Sequence, residues 1–180
     1  MADEKKEPWL NYLALTTVIF AVCATLSTFK GGGFSSSRII SQTQASDQWA
    51  FYQAKSVREN LYKIQKENLE LQISLLDKSN NPEVLQKYKD ALKVAEEKID
   101  KYSKEKEEIS KVAKSLEDKR DDAQNHGKPF GIAIIFFQVT ILLSSIAGLF
   151  KSKPLWLLAL PVGCAGFFFF ADGFFMFYKI

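Results

Sequence analysis

The middle of the chain repeats apolar residues every three and four positions, and it does so between segments that carry no formal charge. Few folds accept both features at once. Within Ser36 to Ala123, Ile40, Ala50, Ala54, Val57, Leu61, Ile64, Leu71 and Leu75 fall on the a and d positions of one heptad frame, with Thr43, Asp47 and Asn68 as polar members. A restarted frame then places Leu85, Leu92, Ile99, Lys106, Ala113 and Arg120 at a, and Tyr88, Ala95, Tyr102, Ile109, Leu116 and Ala123 at d. Seams of this spacing, kept for about five heptads per arm, predict a helix laid against another helix. Between the arms, Asn81 offers a cap and Pro82 suits a first helical turn, where its missing N–H costs nothing. The expectation is an antiparallel coiled-coil helical hairpin over 36–126, with arms at about 36–77 and 82–124.

Charge is concentrated in that middle. Ser35 to Lys128 holds 18 Lys and Arg against 17 Asp and Glu, with signs interleaved as in Lys104-Glu105-Lys106-Glu107-Glu108. Mixed signs describe a solvated helix face, whereas a nucleic-acid surface needs a one-signed basic stripe. Nucleic acid is therefore not an expected partner. Cys23 and Cys164 lie in apolar segments, act there as small hydrophobes, and give no redox information.

Around the middle, three runs are long and apolar enough to cross a bilayer core of about 30 Å. Residues 1–8 form a charged tail. Residues 9–29 form the first span, with Trp9 and Tyr12 at an interface, and it reads as a retained anchor rather than a cleavable leader. Lys30 and Gly31-Gly32-Gly33 then predict a hinge over 30–35, since glycines hold a helix poorly. Gly127 and Pro129 predict the end of the second arm. Residues 130–150 and 155–178 form the second and third spans, joined by the short turn Lys151-Ser152-Lys153-Pro154. The fold class expected is an all-α membrane protein, with three transmembrane helices and the hairpin between the first and second.

The most distinctive piece is Ala45-Ser46-Asp47-Gln48-Trp49-Ala50-Phe51-Tyr52-Gln53-Ala54-Lys55-Ser56. Trp49 to Tyr52 cover about 300° of a helix at 100° per residue, more than one neighbouring helix can bury. Tyr62, Leu69, Ile73 and Leu76 add a second apolar face off the main seam. Trp49, Phe51, Tyr52, Tyr62, Leu69, Ile73 and Leu76 are accordingly the expected contacts with another copy or another protein. The anchor, the Gly-rich break, the SQTQASDQWAFYQAKSVRENLY segment, the charged helical middle and the final apolar pair together resemble the bacterial domain of unknown function 4337 family. That resemblance covers most of the chain and implies a bacterial integral membrane protein with no assigned activity and no catalytic residues.

Three spans place the tail and the Lys151 to Pro154 turn on one side, and the hairpin with the C-terminus on the other. Lys5, Lys6, Lys151 and Lys153 outnumber Lys179 in the short segments, which favours a cytoplasmic N-terminus and a periplasmic hairpin in the bacterial inner membrane. Lys30 and Arg38 after the first span, with Lys119, Arg120 and Lys128 before the second, point the other way.

Asp172 is the ionisable residue well inside a span, where a carboxylate is costly and functional by default. Spacing places it at a similar depth to Gln138 and within reach of Thr25 or Ser27, an expected intramembrane polar cluster that either glues helices together or lines a proton or cation path. Ser144, Gly148, Gly163 and Gly166 suit close helix packing. Asn68, Lys106 and Arg120 at seam positions suit register setting, and Asp47 suits a salt bridge with Lys114. His126 stands without a second ligand for a metal, and no nucleophile has a positioned base. No catalytic, cofactor-binding or metal-binding residues are expected. The function expected is a membrane-anchored structural or interaction protein that self-assembles in the lipid bilayer. The alternatives are a small ion or proton channel using Asp172, and an accessory subunit of a larger membrane complex.

Overall fold

A computed structural model of the chain describes residues 8–76 and 82–178, with the side chain of Leu76 left out. The tail before Pro8 with Lys5 and Lys6, the inter-arm turn at 77–81 and Lys179 lie outside the described residues. Three helices account for nearly all of the rest: α1 (Pro8–Leu76), α2 (Pro82–Leu149) and α3 (Lys153–Phe175), with no strand among the described residues. Each of the three is long and apolar enough to cross a membrane, consistent with a membrane protein. The chain divides into two compact units, whose described parts are 8–40 with 119–178, and 41–76 with 82–118.

The break expected at 30–35 does not occur, because α1 runs through Gly31, Gly32 and Gly33 without interruption. Packing explains the first of these glycines. A Cβ on Gly31 would lie 3.2 Å from Cβ of Phe130, and one on Gly127 would lie 3.3 Å from Cβ of Phe34. Each helix thus offers a glycine to the other's phenylalanine, and this close approach offsets a helix penalty of about 1 kcal/mol per glycine. Pro129 likewise fails to stop α2, which continues to Leu149. Its neighbour Phe130 is buried and packs against Phe34, Phe170 and Phe174. His126, one turn earlier, stacks on Phe34. Aromatic packing on both sides of the proline holds the helix where propensity would end it.

In this first unit the core is built from Phe20, Ala133 and Phe137, with Leu160, Phe169 and Phe170 against it. Hydroxyls in the apolar segments bond back to carbonyls of their own helix, as Thr17 does to Leu13, Ser27 to Cys23 and Thr140 to Phe136. That arrangement satisfies a polar group within an apolar segment. The α2–α3 connection closes on two bonds, from Ser152 N–H to the Ala147 carbonyl and from Lys151 N–H to the Gly148 carbonyl. This is a Schellman motif, with Lys151 in the left-handed position at φ 48°.

In the second unit, cross-helix partners run from Glu117 down to Glu96 on α2 as α1 runs from Trp49 up to Lys66, with Glu105 and Lys106 in one helical turn. Trp49 meets Glu117, Lys55 meets Glu105, Glu59 meets Lys106, Tyr62 meets Tyr102 and Lys66 meets Glu96. That order belongs to antiparallel neighbours.

Candidate functional site

The two seams expected in the second unit fare differently. On α2, every a and d position from Leu85 to Leu116 is buried or half-buried, with Ala95 and Ala113 fully so. On α1 the expected seam faces away from α2. Val57, Leu61, Ile64, Leu71 and Leu75 are 55–63 % exposed, and Ala50, Ala54 and Asn68 are exposed as well. Ile40, which begins that frame in the other unit, is also exposed.

The residues of α1 that meet α2 form a second heptad frame: Ser41, Ala45, Gln48, Tyr52, Lys55, Glu59, Tyr62, Lys66, Leu69 and Ile73, each buried or half-buried. Of the expected outside contacts, Trp49, Tyr52 and Tyr62 therefore pack within the chain, and Leu69 and Ile73 lie on the same inward frame. Phe51 remains exposed, and the Leu76 side chain is outside the described residues. The two frames have exchanged roles. Hydropathy ranks the Leu and Ile frame first, but charge and ring matching select the other. Trp49 Nε1 donates to Glu117 Oε1 at 2.9 Å, and Lys55 Nζ lies 2.6 Å from Glu105 Oε2. Lys66 Nζ donates to Glu96 Oε1 at 2.8 Å, and the Tyr62 and Tyr102 rings stack with centroids 5.8 Å apart.

Glu59 is the centre of this match and was not singled out by sequence reasoning. Only 4 % exposed, it takes Lys106 Nζ on one oxygen and Lys63 Nζ on the other, both at 2.6 Å. The bond from Lys106, then that from Lys63, holds its carboxyl below the usual glutamate range against the opposing effect of burial. Lys106 also lies over the Tyr52 ring, 5.3 Å from its centroid. Its apparent misfit at a seam position is thus resolved by a partner in the inward frame. The signal available in the sequence was the Lys55, Glu59, Lys66 spacing, which repeats the heptad with charge. Asp47 is exposed and makes no ion pair with Lys114 among the described residues.

In the first unit Asp172 is fully buried, while Gln138 and Thr25 are exposed, so the expected three-residue cluster does not assemble. The Thr25 hydroxyl bonds back to the Ala21 carbonyl. Asp172 serves the end of its own helix instead. Its Oδ1 accepts from Tyr178 N–H at 2.6 Å, its carbonyl accepts from Met176 N–H at 2.7 Å, and Met176 turns left-handed at φ 52°. The expected third span runs to Tyr178, whereas the helix ends at Phe175 and the chain folds back onto the acid. Asp172 Oδ2 is buried without a hydrogen-bond partner.

Glycines on α3 form sockets for phenyl rings. A Cβ on Gly163 would fall 2.3 Å from Phe20, one on Gly166 would fall 2.8 Å from Phe137, and one on Gly173 would fall 2.8 Å from Phe130. Ser144 is buried, while Gly148 makes only ordinary contact with Leu13. Trp156 Nε1 donates to Thr16 Oγ1 at 3.2 Å and lies beside Trp9. A cleft of about 190 Å³ is lined by Gly31, Ser35, Arg38, Gln124, Gly127 and Lys128, without a carboxylate or nucleophile pair converging on it. The described surface also carries an exposed apolar stripe along α1.

A family model, Domain of unknown function (DUF4337), matches residues 9–176, from the first apolar segment to the end of α3. The chain is a DUF4337 protein. No activity is attached to that family, and no curated protein and no solved structure matches this DUF4337 chain. The match runs through the apolar helices and the paired middle alike.

Proposed function

We propose that this protein is a membrane-anchored structural or interaction protein, which holds an antiparallel coiled-coil hairpin outside the bilayer and assembles with copies of itself. The observation that carries the reading is the exposed α1 seam. Five large aliphatic side chains at heptad spacing remain in water although α1 already has a neighbour. The hairpin lies on the side opposite the Lys151–Lys153 turn, periplasmic in a bacterial inner membrane by the balance of short-segment lysines. Light scattering of the full chain in mild detergent tests the assembly. The expected mass is a multiple of 20.4 kDa, and a strictly monomeric particle across working concentrations removes self-assembly from the reading.

A second reading, ion or proton passage through Asp172, draws on the unpartnered buried Oδ2. Its enclosure within one chain supports a helix-tethering role over an axis-lining one. Flux through vesicles carrying the wild-type chain, lost on Asp172→Asn with assembly intact, is the outcome that would favour passage.

A further inference from the structure

We infer that the exposed α1 seam from Ala50 to Leu75 is covered by the same seam of a second copy, parallel and in register. This rests on the self-assembly reading and specifies its geometry. Direction follows from the chain itself. α1 reaches the seam directly from its apolar segment, so copies inserted with one topology present the same end of the seam toward the bilayer. Pairing in register then sets Val57, Leu61, Ile64, Leu71 and Leu75 each against its own equivalent, and all five are exposed in the single chain. A slip of one residue would bring polar neighbours such as Arg58 and Gln65 into the seam instead.

Asn68 fixes which heptad meets which. It is exposed, it occupies an a position, and its amide both donates and accepts, so it pairs with its own copy. A slip of one heptad would set it against Leu61 or Leu75 with no polar partner. The flanking positions agree. In the parallel pairing Gln53 faces Arg58 of the partner subunit, Asn60 faces Gln65 of the partner subunit, and Glu67 faces Gln72 of the partner subunit, so no like charges meet at these flanking positions. Asp47, an a position nearer the bilayer, meets its own copy and weakens that end. Leu61 at a with Val57 and Ile64 at d admits more than two copies, and every parallel ring keeps like residues adjacent.

The test uses the full chain carrying Cys23→Ala and Cys164→Ala, reconstituted in phosphatidylcholine vesicles, with one cysteine introduced by Leu61→Cys, Ile64→Cys or, off the seam, Glu70→Cys. Under mild oxidation the two seam variants are expected to form disulfide dimers roughly tenfold faster or more than Glu70→Cys. All three positions are exposed in the single chain, so circular dichroism should show unchanged helix content. Slow or equal crosslinking at the seam, with light scattering still reporting a multimer, assigns assembly to another face and overturns this inference alone. A monomer by both methods removes the inference and the self-assembly reading together. As a second variant, Asn68→Leu is expected to keep the multimer but to let Leu61→Cys chains form mixed disulfides with co-reconstituted Ala54→Cys chains, one heptad away; no gain in that mixed disulfide overturns the register assignment.

Discussion

Glu59 shows how a single side chain can set which face of a helix is inside. Its carboxylate bridges Lys106 and Lys63 in a nearly buried position, and its folded-state pKa lies below the unfolded value. The stabilisation is therefore complete above the ordinary glutamate pKa of about 4.3 and is lost as pH falls through the lowered folded value. Thermal melts followed by circular dichroism should show the wild type losing stability on acidification below about pH 4 more steeply than Glu59→Gln. At neutral pH the same substitution is expected to cost about 1–3 kcal/mol, since it removes charged hydrogen bonds and strands Lys106. Gly163 is the counterpart among the apolar helices. Gly163→Ala sets a methyl 2.3 Å from Phe20 and should cost about 1–3 kcal/mol by overpacking. Adding Phe20→Leu should recover part of that loss in a double-mutant comparison of detergent melting temperatures.

At the scale of elements, α1 and α2 each pass through residues that ordinarily end helices. Gly31 and Gly127 are accommodated because each lets a phenylalanine of the other helix approach, and Pro129 because Phe34, Phe170 and Phe174 enclose Phe130. Local propensity predicts breaks at these positions, and non-local packing keeps them helical. The α2–α3 turn runs the other way. Its expected place was found, and the structure adds that Lys151 holds a left-handed conformation inside a Schellman motif. Lys151→Gly removes the Cβ penalty there and is expected to raise stability by about 1 kcal/mol, read as a higher melting temperature in detergent. An unchanged or lower value would mean that other contacts of the lysine outweigh the backbone strain.

For the whole molecule, self-assembly through α1 makes stability depend on protein concentration, because association binds the folded state only. The melting temperature of the wild type should rise with concentration at fixed detergent. In Leu61→Glu combined with Leu71→Glu that dependence should vanish, and the dissociation constant should rise by roughly tenfold or more. A concentration-independent wild type would speak against assembly altogether. Three apolar segments, their order, the charged stretch between the first two and the buried a and d positions of α2 were legible in the sequence, since composition and heptad spacing are properties of the chain itself. The inward face of α1 was not. Two frames of seven coexist on that helix, and periodicity marks both without ranking them. Lys55, Glu59, Tyr62 and Lys66 win the inner place because Glu105, Lys106, Tyr102 and Glu96 lie opposite them. Complementarity between segments about 30 to 50 residues apart exists only once the two helices are side by side, which is why tertiary structure alone could decide it.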